Sequence, residues 1–264
     1  MPPTAKKTSE PVCNERIKDP LQTTEVEEEV LDFSIVVPFH NEESSLLGVL
    51  SECLDTLDQL PALRSEIVAV NDGSEDSCGA ILTSLAVREP RLRVITFLRN
   101  RGQAAALYTG LHAARGQIVG TLDGDGQNNP ADFPVLLRQL EESGVDMVTG
   151  VRIKRRDSRM RRWMSRIANH IRGAFLNDGV SDSGCAIKVF RRSVVDSLIP
   201  LQTLYSFIPA LARAGGHTIV ECPVDHRERH GGETHYGLGV FLWRPLVDMM
   251  GVWWFTKRRF EIEP

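Results

Sequence analysis

Asp123-Gly124-Asp125 sets two carboxylates one residue apart at the end of an apolar run, Gln117-Ile118-Val119-Gly120-Thr121-Leu122. Carboxylate oxygens are hard donors, and a pair of them at a strand mouth suits Mg²⁺ or Mn²⁺ shared with a diphosphate. Gly124 and Gly126 carry no Cβ, so a ligand or metal can come close to the backbone there. The same residues would serve equally as solvated loop acids, and their surroundings decide between the two.

Similar polar clusters close three other apolar runs. Phe33-Ser34-Ile35-Val36-Val37-Pro38 reads as a buried strand, stopped by Pro38, which has no N–H for a ladder. Phe39-His40-Asn41-Glu42-Glu43 follows, then a helical pattern on Leu46, Leu47, Leu50 and Leu54. Asn41 or Ser44 is expected to cap that helix, and Glu42, taken alone, reads as an acid in its first turn. A second strand, Glu66 to Val70, runs into Asn71-Asp72-Gly73-Ser74-Glu75-Asp76 and then a helix around Cys78 to Val87. Asp72 has two readings, an acceptor for a nucleobase edge or an Asx-turn and N-cap residue. A third strand, Leu92 to Phe97, leads through Asn100-Arg101-Gly102-Gln103 to an alanine-rich helix over Ala104 to Ala114.

Strands alternating with helices predict an α/β fold, a Rossmann-like, mostly parallel sheet with helices on both faces. Such sheets bind ligands beyond the C-terminal ends of their strands, where all these clusters fall. Polar loops converging on one edge point to a nucleotide diphosphate as the ligand.

Taken in order, V-V-P-F-H-N-E-E, V-N-D-G-S-E-D-S, N-R-G-Q-A-A-A-L and L-D-G-D-G-Q-N-N-P resemble the family 2 inverting glycosyltransferases of GT-A fold. Within that family the chain is similar to the branch of dolichol-phosphate mannose synthase and the undecaprenyl-phosphate glycosyltransferases, from about Asp32 to Tyr236. The resemblance implies transfer of a sugar, with inversion, from a nucleotide diphosphate sugar (UDP favoured over GDP) to a polyprenyl phosphate lipid. It implies that Pro38, Phe39, Glu42, Asp72, Asp123 and Gly124 bind the nucleotide, with Asp72 at the base. It also implies that Asp123, Asp125 and Gln127 hold Mg²⁺ or Mn²⁺. One departure is Asn71, where many relatives carry a first aspartate.

Beyond another expected strand, Asp146 to Gly150, lies a basic run from Arg152 through Arg172, with Trp163, Ile167, Ile171 and Phe175 interleaved at helical spacing. This predicts an amphipathic basic helix from about Ser158 to Leu176. A nucleic-acid surface lacks an accompanying motif in a chain of net acidic charge. A solvated face and an anionic membrane surface remain, and the sugar-transfer motifs favour the membrane. Through the resemblance, Arg152, Ser165 and Arg166 are candidates to cradle the acceptor phosphate, as guanidinium forks do. Asp182, in Ser181-Asp182-Ser183-Gly184-Cys185, is placed near the reacting centre as a catalytic residue, or else orients neighbouring arginines. Asp225-His226-Arg227-Glu228-Arg229 and Thr234-His235-Tyr236-Gly237 match a loop that embraces phosphates. Arg227 is there a catalytic candidate, and Arg229 and His235 are acceptor-phosphate candidates. His235 replaces the usual lysine, and an unperturbed histidine titrates near pH 6.5.

The chain has 264 residues and a formal net charge of −4, which suits one α/β domain with a substantial core. Residues 1–31 read as a disordered acidic extension without a signal-peptide pattern. Residues 32–238 form the expected glycosyltransferase domain, and residues 239–264 an aromatic and basic segment that is interfacial or oligomer-forming. Arg244, Pro245 and Asp248 interrupt its apolar run, so it is not expected to span a bilayer. A core helix with a basic terminus is the competing reading of this tail. Five scattered cysteines show neither metal spacing nor a disulfide framework and suit a reducing cytosol. The expectation is a peripheral enzyme at the cytoplasmic face of a membrane, with no nucleic-acid partner and with a homo-oligomer or membrane partner protein left open. The alternatives are a hydroxyl acceptor, with Asp182 as base, and a non-catalytic nucleotide-sugar-binding scaffold.

Overall fold

In a computed structural model of the chain, the described residues are 30–153, 172–173, 175–227 and 238–258, with the backbone alone described for 238–245. The elements run β1 (Leu31–Phe39), α1 (Glu43–Asp58), β2 (Ser65–Asn71), α2 (Cys78–Ala86), β3 (Leu92–Thr96), α3 (Gln103–Ala113) and β4 (Gly116–Thr121). They continue with α4 (Phe133–Ser143), β5 (Met147–Arg152), β6 (Lys188–Arg191), α5 (Arg192–Val195), α6 (Leu204–Ala214), β7 (Ile219–Val224) and α7 (Leu238–Arg258). The sheet order is β3-β2-β1-β4-β6-β5-β7.

All neighbouring pairs are parallel except those of β6, which is antiparallel to both β4 and β5. The expected mostly parallel sheet is therefore present, with one reversed strand that the periodicity did not reveal. Four residues are too few to display an alternation. The strands separate two cores by parity. Phe33, Ile35 and Val37 of β1 and Ile67 and Ala69 of β2 join the cluster under α1, α2 and α4. Val36, Val68 and Val70 point to the other cluster, under α3, α6 and α7. A strand buried on both faces shows a continuous apolar run, which is why these segments read so clearly.

The alanines of α3 have a packing reason. A Cβ on Gly110 would lie 2.5 Å from Val36 Cγ1 and 2.9 Å from Val70 Cγ2, so this helix sits closer to the sheet than larger residues allow. Arg93 of β3 and Arg192 of α5 donate to the carbonyls that end α3, at Ala113 and at Leu111, His112 and Ala114. Two cations there complement the negative end of the helix dipole.

β1 begins at Leu31, inside the expected extension, and residues 1–29 lie outside the described ones. Of the basic helix, residues 172–173 and 175–176 are helical and 154–171 lie outside the described residues. At the C-terminus α7 is held to the domain by Asp248, whose Oδ2 accepts from Thr203 N at 2.9 Å and Thr203 Oγ1 at 2.6 Å. Met249 and Val252 are buried against α6, while Leu246, Val247, Met250, Trp253 and Trp254 are exposed. Among the described residues no helix is long and apolar enough to cross a membrane.

Candidate active site

The chain leaves β1 towards β2 and β3 on one side and returns to β4 on the other, so a topological switch point lies between β1 and β4. Ligands of open α/β sheets bind in the crevice formed there. Pro38 and Phe39 end β1, and Asp123 follows β4 by two residues. The two loops are in contact. A Cβ on Gly124 would lie 2.6 Å from the Phe39 ring and 2.7 Å from the Pro38 carbonyl oxygen. Ser45 Oγ donates to Gly124 O at 2.7 Å and also lies 3.3 Å from Glu42 Oε2, tying the start of α1 to the D-x-D loop. Phe39 itself is 1% exposed, so its ring forms the floor beneath this loop.

Within the loop, Asp125 Oδ1 accepts from Gln127 N at 3.0 Å, and Asp123 Oδ1 accepts from Gln103 Nε2 at 2.7 Å. Burial, joined by the neighbouring Asp125 carboxylate, pushes Asp123 up to about 6, against the opposing pull of Lys188 and Arg152. Two crowded acids, one of them reluctant to ionise, fit a divalent cation, because a cation removes the repulsion that each imposes on the other. Among the described residues no group of three or more His, Cys, Asp or Glu gathers as a metal cage. A carboxylate pair that leaves other positions to water and phosphate oxygens is the pattern of Mg²⁺ and Mn²⁺ sites shared with a diphosphate.

Asp72 is 1% exposed, with Oδ1 accepting from Arg101 N at 2.7 Å and Oδ2 from Gly102 N at 2.9 Å. The carboxylate thus holds the Asn100–Gln103 turn, a role akin to the Asx-turn reading. It binds a neighbouring loop, however, and not its own. His40 Nδ1 lies 2.9 Å from Asp72 O and Nε2 lies 2.7 Å from Asn100 Nδ2, which joins the β1, β2 and β3 loops. Neither Asn41 nor Ser44 caps α1. Asn41 takes a left-handed φ of 54° and accepts instead from Glu75 N at 2.8 Å. The cap comes from Asp76, whose Oδ2 accepts from Glu43 N at 3.0 Å and whose Oδ1 accepts from Cys78 N at 3.0 Å. One side chain therefore serves the first turns of α1 and α2.

Arg152, at the end of β5, pairs with Asp182 through Nε at 2.8 Å and Nη2 at 2.7 Å. The two side chains are 13% and 7% exposed. Of the two sequence readings of Asp182, this geometry matches the one in which it orients an arginine. Arg227 N donates to Gln127 O at 2.8 Å, so its backbone runs beside the D-x-D loop. Its guanidinium, however, is turned to Glu52 of α1, with Nη1 at 2.8 and 2.9 Å from the carboxylate oxygens. Ser165, Arg166, Arg229 and His235 lie outside the described residues.

Three residues of the site receive no role from the sequence. Gln103 closes the Asn100–Gln103 turn and donates to Asp123, a contact that its motif does not specify. Lys188 of β6 is 1% exposed, donates to the Cys185 carbonyl, and is pushed down by burial while Cys185, Asp123 and Asp182 oppose that shift. A lysine flanked by Ile187 and Val189 was the available signal, since buried lysines are rare without a purpose. Glu221 of β7 accepts from Ser181 and Asp182, and nothing local marked it.

The Glycosyl transferase family 2 model matches residues 34–199. The chain is 37% identical over 207 residues to the undecaprenyl-phosphate 4-deoxy-4-formamido-L-arabinose transferase of Edwardsiella ictaluri, covering 78% of this chain and 63% of that protein. It thus spans less than two thirds of that relative's length. It is 32% identical over 244 residues to the dodecaprenyl-phosphate galacturonate synthase of Rhizobium johnstonii, covering 90% of this chain and 71% of that one. In structure it is similar to glucosyl-3-phosphoglycerate synthase from Mycobacterium tuberculosis in complex with Mn²⁺, UDP and phosphoglyceric acid, with a TM-score of 0.65 at 18% identity, over 88% of this chain and 80% of that one.

Proposed function

The chain belongs to Glycosyl transferase family 2, and on that premise we propose that it transfers a sugar, with inversion, from a nucleotide diphosphate sugar to a polyprenyl phosphate. The observation that carries this reading is the convergence of two differently charged clusters at one sheet edge. The acids Asp123 and Asp125 stand at the β1–β4 switch point, and the Arg152–Asp182 pair stands beyond β6, near enough for Arg152 to act on Asp123. The named activities of the two sequence relatives on undecaprenyl and dodecaprenyl phosphates point the same way. A UDP donor is favoured over GDP.

Pro38, Glu42 and Gly124 border the diphosphate, with Phe39 beneath them. Asp72 serves the base indirectly, through the Asn100–Gly102 turn that its two oxygens hold. Asp123 and Asp125, with Gln127, would hold Mg²⁺ or Mn²⁺, which when bound supplies countercharge to the departing diphosphate. A phosphate monoester with a second pKa near 6 is already largely dianionic at neutral pH. Its oxygen forms the new bond to the anomeric carbon as the bond from that carbon to the diphosphate breaks, and the electron pair leaves with the nucleoside diphosphate. No proton has to be removed, so the protein's work is alignment and charge stabilisation. Arg152 receives the acceptor phosphate, with Ser165, Arg166, Arg229 and His235 assigned to the same phosphate, and Arg227 reaches the diphosphate after leaving Glu52. A hydroxyl acceptor would need Asp182 as base, and the pairing of that carboxylate with Arg152 weighs against it.

The exposed stripe of α7, Leu246, Val247, Met250, Trp253 and Trp254, leads to Lys257 and Arg258. Aromatic and aliphatic groups followed by cations suit a peripheral seat on an anionic bilayer at its cytoplasmic face. The test is incubation of the purified chain with Mn²⁺, UDP- or GDP-sugars and farnesyl phosphate. Formation of a farnesyl-phosphate sugar is expected, and no product from any common donor would overturn the reading. Co-sedimentation with anionic vesicles, lost in Trp253→Ser/Trp254→Ser, tests the membrane seat.

A further inference from the structure

We propose that Glu221 is a positioning residue for the acceptor phosphate, acting through Ser181 and Asp182 on Arg152. This inference rests on the reading above that Arg152 receives that phosphate. Glu221 stands on β7 opposite Thr149 of β5, in the parallel ladder whose β5 strand ends at Arg152. Its Oε1 accepts from Ser181 N at 2.6 Å and from Asp182 N at 3.2 Å. Ser181 Oγ completes the clamp, at 3.0 Å from Oε1 and 2.9 Å from Oε2. Two consecutive backbone N–H groups and a hydroxyl therefore converge on one carboxylate brought in from another strand.

That clamp fixes the Cα of Asp182, and Asp182 in turn fixes Arg152. Its Oδ2 accepts from Arg152 Nε at 2.8 Å and from Arg152 N at 3.3 Å, and its Oδ1 from Nη2 at 2.7 Å. Gly184 leaves room for the guanidinium, since a Cβ there would lie 3.3 Å from Arg152 Nη2. Upstream, Arg172 donates to Asp178 and to Val180 O, anchoring the loop just before Ser181. An arginine is useful to a phosphate when its planar fork is already oriented, because less freedom is lost on forming each hydrogen bond. Glu221 supplies that orientation from the sheet, two hydrogen-bond steps away from Arg152.

The experiment is calorimetric titration of the full chain, saturated with UDP and Mn²⁺, with farnesyl phosphate. Wild type is compared with Arg152→Ala, Glu221→Ala and Glu221→Gln, and titrations of UDP with Mn²⁺ alone serve as the control. Arg152→Ala should weaken farnesyl phosphate by about tenfold or more, the usual loss for a charged hydrogen bond. Glu221→Ala should weaken it to a similar degree, and Glu221→Gln less, because its amide oxygen still accepts from the Ser181–Asp182 backbone. UDP affinity and the thermal midpoint should stay near wild type in both Glu221 variants, whereas Arg152→Ala, which leaves the Asp182 carboxylate buried and unpaired, should lower the midpoint. Farnesyl phosphate binding unchanged in Glu221→Ala but lost in Arg152→Ala overturns the inference and leaves the acceptor site standing. Binding unchanged in Arg152→Ala, or absent in wild type, overturns the acceptor reading itself. Parallel loss of UDP binding and thermal stability in Glu221→Ala would make the residue a general structural support and also overturn the proposal.

Discussion

Gln103 donates through Nε2 to Asp123 Oδ1 at 2.7 Å, so the first turn of α3 holds the first acid of the D-x-D in one orientation. Groups that orient a metal-binding carboxylate commonly change metal affinity by about 10–100-fold when removed. Gln103→Leu is therefore expected to weaken Mn²⁺ binding in the presence of UDP by roughly tenfold, with the thermal midpoint little changed. Electron paramagnetic resonance of free Mn²⁺ reads this directly, and unchanged affinity would remove Gln103 from the site.

The position of Asp123 gives a pH dependence with a definite sign. Burial and the Asp125 charge raise it from 3.8 to about 6, so in the native protein a proton stays on this carboxylate well above pH 4. A metal has to displace that proton. Mn²⁺ affinity should rise as pH increases from 5 through 6 and level off above 7. A flat profile across that interval would show that Asp123 is ionised throughout.

Asp76 links two helices that nothing in the local sequence connects. Against the cost of burial, the N–H groups of Cys78 and Glu43 hold it below its ordinary 3.8. A depressed native pKa contributes stability above the unfolded value, and that contribution is lost as pH falls through the lower native one. Asp76→Ala should cost about 1–2 kcal/mol at pH 7, the usual loss for a removed cap. The gap from wild type should narrow in urea unfolding below about pH 3.5.

Gly124 is a steric requirement of the site. A Cβ there would sit 2.6 Å from the Phe39 ring and 2.7 Å from the Pro38 carbonyl, and a backbone oxygen cannot swing aside. Gly124→Ala should lower stability by about 1–3 kcal/mol, as overpacking does, and should weaken UDP binding. Thermal denaturation with and without UDP and Mn²⁺ reads both effects.

Much of the site was legible because its signals are local. The apolar runs at Phe33–Pro38 and Glu66–Val70 are strands buried on both faces, Gln117–Leu122 is buried from Val119 onward, and each ends in a cluster of acids, amides and glycine. Parallel strands carry such clusters to one edge, so the D-x-D could be placed at a strand mouth without coordinates. The reversed strand β6 is too short to show an alternation; α4 and α6 do carry helical periodicity, with Phe133, Leu136, Leu137 and Leu140 of α4 on one buried face, and the sequence reading left both helices out. The caps at α1 were misassigned for another reason. Asn41 and Ser44 are good capping residues by type, but the carboxylate that reaches Glu43 N belongs to a loop 33 residues away.

The sequence alone determined the α/β class, the family and the sheet edge that gathers the candidate site residues, because continuous apolar runs, turn residues and short motifs act over a few positions. The tertiary structure decided which polar groups meet. It brought Gln103 to Asp123, turned Arg227 to Glu52, buried Lys188 on a reversed strand within electrostatic reach of Asp123 and Asp182, and joined Glu221 to Ser181 and Asp182. Those pairings depend on strand order and register. A hydrogen bond between segments 20 to 175 residues apart leaves no periodic trace in either of them.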